Sequence, residues 1–100
     1  MQQDHAPKNL RAVNLRIEGN VQGVGFRNWT QRLAGQLELS GWVRNRRDGS
    51  VEIVFFGPAQ AVEEAISRCK VGPRSAKVIS VAVVDAGSPA NRSFDILPGL

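Results

Sequence analysis

The sequence has a single cysteine, Cys69, and a single histidine, His5, among its 100 residues. One cysteine excludes a framework of internal disulfide bonds, and one cysteine with one histidine gives too few ligands for a zinc site. Long apolar runs are missing as well, so no stretch of the sequence can span a lipid bilayer. With 42% hydrophobic and 22% charged residues, the composition is that of an ordinary globular domain.

The first nine residues, MQQDHAPKN, lack the apolar stretch of a secretory signal peptide. One hundred residues is the size of one domain built around one core. We therefore expect a flexible N-terminal segment over residues 1–9, a single domain over residues 10–100, and a cytoplasmic protein.

Acidic residues are the scarcer of the two signs, with nine against thirteen basic residues and a net charge of +4. This balance favours an anionic partner, which can be a nucleic acid, a membrane surface or a small phosphate compound. Solubility alone is an equally good explanation, so the charge by itself does not choose among these functions.

The hydrophobic pattern changes between period two and period 3.6 along the chain. It predicts strands over residues 11–18, 41–46, 51–56, 77–85 and 93–97, with helices that begin near Phe26 and after Gly57-Pro58. The order is βαββαβ with a short fifth strand. We predict a ferredoxin-like α/β sandwich with a four- to five-stranded antiparallel sheet and both helices on one face.

The segment Gly19–Arg27, with the sequence GNVQGVGFR, follows the first strand and opens the first helix. Its glycines allow successive backbone N–H groups to converge, and the helix start adds further N–H groups and a positive dipole end. The guanidinium of Arg27 matches two phosphate oxygens. These features predict an anion-binding loop, which we favour over a tight turn that merely carries a surface arginine.

The same loop lacks the residues of other phosphate-binding motifs. Asn28 stands where a dinucleotide-binding loop needs its third glycine, and Phe26 and Arg27 replace the lysine and serine or threonine of a P-loop. The loop also has no acidic residue to hold magnesium. We therefore expect the phosphate to be bound by protein donors alone.

Asn45 is a polar residue in line with the apolar positions of its strand, because it shares a face with Gly41 and Val43. A buried amide needs hydrogen-bond partners. Its side chain can cap the strand end or the Asp48-Gly49 turn, or it can enter a pocket and orient a water molecule. Spacing alone favours the first, structural, interpretation.

Two stretches of the sequence resemble the acylphosphatase family. GNVQGVGFR resembles the first signature of that family, and GWVRNRRDGSVEIVFFG, residues 41–57, resembles the second at the usual separation. The resemblance covers about residues 13–96. It implies a hydrolase that converts small acyl phosphates to a carboxylate and inorganic phosphate, without a metal or an organic cofactor, and usually as a monomer.

At the matched positions, the resemblance implies that Arg27 binds the phosphoryl group and that Asn45 positions the attacking water. It replaces the structural interpretation of Asn45 given above. The backbone amides implied to bind the phosphate belong to Val21, Gln22, Gly23, Val24, Gly25 and Phe26.

Three positions depart from the family pattern. Asn20 stands where a basic residue is frequent, and Asn28 stands where larger side chains are frequent. Glu38 lies between two leucines, where the family commonly has glycine. These departures concern the attraction for the anion and the end of the first helix.

Other reactive residues have a simpler explanation. Cys69 lies on the apolar stripe of the second predicted helix, so we expect a buried structural thiol, and His5 lies in the N-terminal segment. Trp42 either forms a wall of the pocket or covers the sheet. Arginines at 44, 46 and 47 beside two phenylalanines are compatible with an RNA-binding face, but the aromatic RNP1 motif is absent.

We therefore expect an enzyme with a small acyl phosphate as its partner, and neither nucleic acid nor membrane. The alternatives are a binding module for anions or nucleic acid and a regulatory domain that senses a phosphorylated metabolite. Turnover, and its dependence on Arg27, separates these three functions.

Overall fold

A computed structural model of the protein describes residues 9–100, so the predicted flexible segment, apart from Asn9, lies outside the described residues. These residues form five strands and two helices in the predicted order. The elements are β1 (Leu10–Asn20), α1 (Phe26–Leu37), β2 (Ser40–Asn45), β3 (Val51–Pro58), α2 (Ala59–Cys69), β4 (Lys77–Asp85) and β5 (Phe94–Ile96).

The five strands form one sheet in the order β4-β1-β3-β2-β5. Antiparallel pairing joins β1 to β3, β1 to β4 and β2 to β3, as the sequence predicted. The sheet is mixed and not wholly antiparallel, because β5 pairs parallel to β2. The reason is the position at which β4 stops. Strand β4 ends at the edge of the sheet where β2 begins, so the chain enters β5 from that edge and β5 runs in the direction of β2.

The core lies between one face of this sheet and the two helices. Val13, Leu15 and Ile17 of β1 are fully buried, and each is paired with a buried residue of β3. The helices cover the same face with the apolar side chains of Phe26, Leu33, Ala34, Val62, Ala65, Ile66 and Cys69. The ferredoxin-like α+β sandwich predicted from the sequence is confirmed.

The strand directions gather three chain segments at one end of the sheet. Because β1, β2 and β5 all run the same way, the turn after β1, the last residue of β2 and the last residue of β5 meet there. The N-terminus of α1 begins at this end too. Residues far apart in the chain are thereby brought together.

The other end of α1 carries the unusual residue Glu38. Its φ of 58° and ψ of 43° place it in the left-handed region, alone among the non-glycine residues that the structure describes. The N–H groups of Glu38 and Leu39 donate back to the carbonyls of Gly35 and Ala34, at 3.3 and 2.9 Å. This is the Schellman ending in which glycine is preferred, so Glu38 occupies a position suited to glycine at a conformational cost.

Candidate active site

The chain turns sharply between β1 and α1. Gly23 and Gly25 have φ values of 73° and 82°, in the region that glycine adopts without strain. Gly25 is the N-cap of α1, and its carbonyl accepts a hydrogen bond from the N–H of Trp29 at 3.0 Å. The N–H groups of residues 26–28 precede this bond and have no partner within the helix. With no acidic side chain in the first turn, this helix end is suited to an anion.

Gly19 has a φ of 135°, a backbone angle that favours glycine, as the sequence predicted. It belongs to β1, at a bulge in the pairing with β4. A Cβ atom at Gly19 would lie only 2.1 Å from the carbonyl oxygen of Lys77. The glycine therefore lets two strands approach closely, and only residues 21–27 of the predicted anion-binding segment lie at or after the turn.

Arg27 lies in the first turn of α1 and is half-buried. Its guanidinium makes no ion pair within residues 9–100, whereas Arg11, Arg16, Arg46 and Arg68 each have a carboxylate partner. The positive charge of Arg27 is thus not neutralised by any carboxylate in the described chain. It is available to an anion bound at the helix end.

Asn45 is the last residue of β2 and continues the inward-facing row of the sheet, opposite Val51 of β3. Its side-chain oxygen Oδ1 is buried and has no hydrogen-bond partner among residues 9–100. Its backbone carbonyl, by contrast, accepts a hydrogen bond from the N–H of Leu100 at 3.1 Å. A buried amide oxygen without a partner calls for an explanation, and a bound water or ligand is one.

A pocket of about 280 Å³ connects these groups. It is lined by Val21, Gly23, Gly25, Phe26, Arg27, Asn28, Asn45 and Ile96. The structure therefore brings together six of the eight residues predicted from the sequence. It adds Asn28 and Ile96, of which Ile96 comes from β5 at the sheet edge.

The two remaining predicted residues, Gln22 and Val24, do not line this pocket. Val24 packs against the core. The side chain of Gln22 is directed to the turn between β2 and β3, where its Nε2 donates to the carbonyl oxygens of Arg46 at 2.7 Å and of Ser50 at 2.8 Å. The predicted role of these two residues concerned their backbone amides, and it stays a prediction.

The polar residues of the β2–β3 turn are bonded to one another. Asp48 accepts hydrogen bonds from the hydroxyl and the N–H of Ser50, at 2.6 and 2.9 Å, and these bonds lower the pKa of Asp48. Burial raises the pKa of Glu52, but hydrogen bonds from Asn14 and Arg46, both 2.8 Å long, outweigh it, so the pKa is lowered. Both carboxylates are therefore ionised at neutral pH.

Trp42 covers the outer face of the sheet and does not line the pocket. The guanidinium carbon of Arg44 lies 4.9 Å from the centre of its ring. This cation–π contact decides between the two positions considered for Trp42. Arg44, beside Trp42, and Arg46, paired with Glu52, thus lie on the face opposite the helices.

The reactive residues set aside in the sequence lie away from the pocket or outside the described part. Cys69 is fully buried at the end of α2, and this burial raises the pKa of its thiol to about 12. His5 lies outside the described residues.

Within residues 9–100, no three side chains of His, Cys, Asp or Glu are grouped so that they could hold a metal ion. No helix in the same range is long and apolar enough to cross a membrane.

Comparison with known proteins identifies the family. The family profile named Acylphosphatase matches residues 13–96. The chain is 55% identical, over 83 residues, to an acylphosphatase of Nitrobacter hamburgensis, which covers 83% of this chain and 82% of the relative. It belongs to the acylphosphatase family. Members of this family are hydrolases, so the expectation of an enzyme is confirmed.

Solved structures of the family have the same fold. A crystal structure of acylphosphatase from Bacillus subtilis superposes with a TM-score of 0.81 at 37% identity, over 89% of this chain and 99% of that one. An acylphosphatase from Coxiella burnetii gives a TM-score of 0.86 at 29% identity, over 91% and 98% of the two chains. The match spans nearly the full length in each case.

The departures from the family pattern have defined positions in the structure. Asn28 is exposed and lines the pocket, whereas Asn20 ends β1, is exposed and pairs with Lys77 of β4. Besides the position of Asn28 in the pocket, two features of the site were not predicted: the pocket wall at Ile96 and the side-chain bonds of Gln22. No local sequence pattern predicts the position of Ile96 or the bonds of Gln22, since both depend on contacts between distant segments.

Proposed function

We propose that the pocket hydrolyses small acyl phosphates, with the phosphate bound by Arg27 and the backbone amides at the start of α1. The proposal is carried by one observation. Within residues 9–100, the oxygen of Asn45 has no hydrogen-bond partner and lies in the same pocket as Arg27, whose charge has no carboxylate partner there. A phosphate at the helix end satisfies the charge of Arg27 and the N–H groups together. A water molecule held by Asn45 Oδ1 then faces that phosphate.

The reaction is a direct transfer of the phosphoryl group to water. The water oxygen forms a bond to phosphorus while the bond between phosphorus and the acyl oxygen breaks. The bonding electrons leave with the carboxylate, and the proton lost by the water passes to a phosphate oxygen of the substrate. The products are a carboxylate and inorganic phosphate, and no residue of the enzyme becomes covalently modified.

This reaction needs little acid–base catalysis from the enzyme. A carboxylate leaving group has a parent acid with a pKa of about 4 to 5, so it departs without being protonated. What the site must supply is position and positive charge around the transferred group. Arg27 and the helix start supply the charge, and Asn45 supplies the orientation of the water.

The proposal includes the partners expected from the sequence. The substrate is a small acyl phosphate, whose phosphate has room in the pocket of about 280 Å³. The enzyme acts as a monomer, without a metal or organic cofactor, and binds neither nucleic acid nor membrane. The loop binds the end that all acyl phosphates share.

The test measures hydrolysis of benzoyl phosphate in the presence of a chelator. We expect turnover that the chelator does not reduce, and an Asn45→Ala variant that loses at least about 100-fold in kcat. Asn14→Ala is the matched control, because Asn14 bonds Glu52 on the outer face of the sheet and should keep its turnover. Loss of activity with the chelator, or full activity of Asn45→Ala, contradicts the mechanism.

A further inference from the structure

The two halves of the proposed site come from strands that are not neighbours in the sheet. The anion-binding segment follows β1, and Asn45 ends β2, but β3 lies between β1 and β2. The ladder of backbone hydrogen bonds therefore does not connect the segment directly to Asn45. Some other contact has to fix the distance between phosphate and water.

Gln22 makes such a contact. It lies next to Gly23 in the turn, and its side chain reaches the carbonyl oxygen of Arg46, the residue after Asn45, at 2.7 Å. The same Nε2 atom donates to the carbonyl oxygen of Ser50 at 2.8 Å, and Ser50 also accepts from the N–H of Arg46 at 2.9 Å. One amide group thus uses both of its N–H bonds to hold the two sides of the β2–β3 turn.

The chemistry of this contact suits glutamine. The two acceptors are carbonyl oxygens, so a side chain there must provide two N–H donors on one atom. Glutamate has the same length but only acceptors in its ionised form, and methionine has a similar length with no N–H donor. Because Gln22 is half-buried, an exchange of its bonds for bonds to water is hindered.

We propose that Gln22 is a positioning residue that fixes the distance between the bound phosphate and the water on Asn45. The inference rests on the proposed function. Its side chain does not line the pocket, so it acts through the turn and not on the substrate. In the proposed function, Arg27 and the amides at the start of α1 bind the phosphate, whereas Asn45 of β2 orients the water. Loss of the contact should therefore impair the attack by water more than the binding of phosphate.

The experiment replaces Gln22 by methionine and measures kcat together with the dissociation constant of inorganic phosphate. We expect kcat to fall roughly 10- to 100-fold, the scale of a displacement of about 1 Å within a reacting pair. The affinity for phosphate stays close to that of the wild type, because Arg27 and the helix start are unchanged. Gln22→Glu should lose at least as much kcat, since its carboxylate faces two carbonyl oxygens.

Gln31→Met is the matched control. Gln31 also donates through its side-chain amide to a backbone carbonyl, that of Phe94 at 3.0 Å, but this bond joins α1 to β5. We expect its kcat to stay near that of the wild type. An unchanged kcat in Gln22→Met, or an equal loss of kcat and phosphate affinity, overturns the positioning role.

An NMR readout separates failure of this inference from failure of the proposed function. The side-chain amide signals of Asn45 should shift in Gln22→Met and stay in place in Gln31→Met, and this measurement does not require turnover. Unchanged Asn45 signals overturn the inference even in an active enzyme. A wild type that does not hydrolyse acyl phosphates overturns the proposed function, while the NMR comparison still decides whether Gln22 holds Asn45.

Discussion

Asn45 and Arg46 are consecutive in the chain, yet the side-chain oxygen of Asn45 and the Nη1 group of Arg46 are in opposite situations. Arg46 donates from Nη1 to Glu52 at 2.8 Å, and its backbone bonds Ser50, Gly49 and Gln22. Asn45 has a buried side-chain oxygen that lines the pocket of Arg27 and has no partner among residues 9–100. The residues of the β2–β3 turn form hydrogen bonds to one another, whereas the pocket contains polar groups without a hydrogen-bond partner within residues 9–100.

This difference in hydrogen bonding distinguishes polar groups that stabilise the fold from polar groups that are suited to bind a ligand. A satisfied buried network contributes to stability, and an unsatisfied buried atom costs free energy unless something binds it. The lack of a partner alone does not define a site, because the Nε atoms of Arg44 and Arg46 are also unpartnered and neither arginine lines the pocket of Asn45. The pocket together with the unpartnered oxygen makes the distinction.

Arg27→Ala gives the largest effect and tests the pocket side of this comparison. We expect kcat/KM for benzoyl phosphate to fall at least about 100-fold, because the variant loses the charge that stabilises the transferred phosphoryl group. Its melting temperature should stay close to that of the wild type, since Arg27 makes no ion pair within residues 9–100. Steady-state kinetics and thermal unfolding measure the two quantities.

Arg46→Ala is the matched arginine variant for the turn. It should show the reverse pattern, with a loss of about 1 kcal/mol in the free energy of unfolding, because Glu52 loses its ion pair. Turnover should stay near that of the wild type, since the backbone carbonyl bonded by Gln22 is retained. If both variants lose activity and stability together, the two regions are not separate in function.

Lowering the pH tests the turn without changing the sequence. The pKa values of Asp48 and Glu52 are lowered in the folded state, so their bonds stabilise it above the ordinary values of 3.8 and 4.5. This stability is lost as the pH falls below those values and through the lower folded pKa values. We expect the melting temperature to fall below about pH 4.5 and to fall less steeply in Glu52→Gln. If the melting temperature falls equally steeply with pH in both proteins, Glu52 does not contribute to the loss of stability in acid.

The sequence was sufficient for the parts of the molecule that depend on neighbours in the chain. The alternation of Val13, Leu15 and Ile17 predicts a half-buried strand, and glycines before an arginine at a helix start predict an anion-binding turn. The structure has the strand, and it has a turn that leads into a helix start. That this turn binds an anion stays a prediction. In each case the physical cause is local, a strand period or the free N–H groups of a helix end.

Features set by distant contacts were not predictable in this way. Spacing alone favoured a structural role for Asn45, since only the folded chain shows that its oxygen lacks a partner. The bonds of Gln22 join residues 24 and 28 positions apart, and the direction of β5 follows from the end of the sheet at which β4 stops. Gly19 was assigned to the loop because its contact with Lys77 is not visible in the sequence.

Glu38→Gly tests whether stability can be raised without any effect on the pocket. Glu38 has a left-handed backbone at the end of α1, which costs a non-glycine residue about 1–2 kcal/mol, while glycine loses about 0.5–1 kcal/mol of chain entropy on folding. The net expectation is a gain of about 0.5–1 kcal/mol in the free energy of unfolding. Denaturant titration measures this gain, and Gln36→Gly, within the helix, is the control that should destabilise. Because Glu38 does not line the pocket, kcat should be unchanged. A changed kcat would show that the C-terminal end of α1 affects the pocket at its N-terminal end.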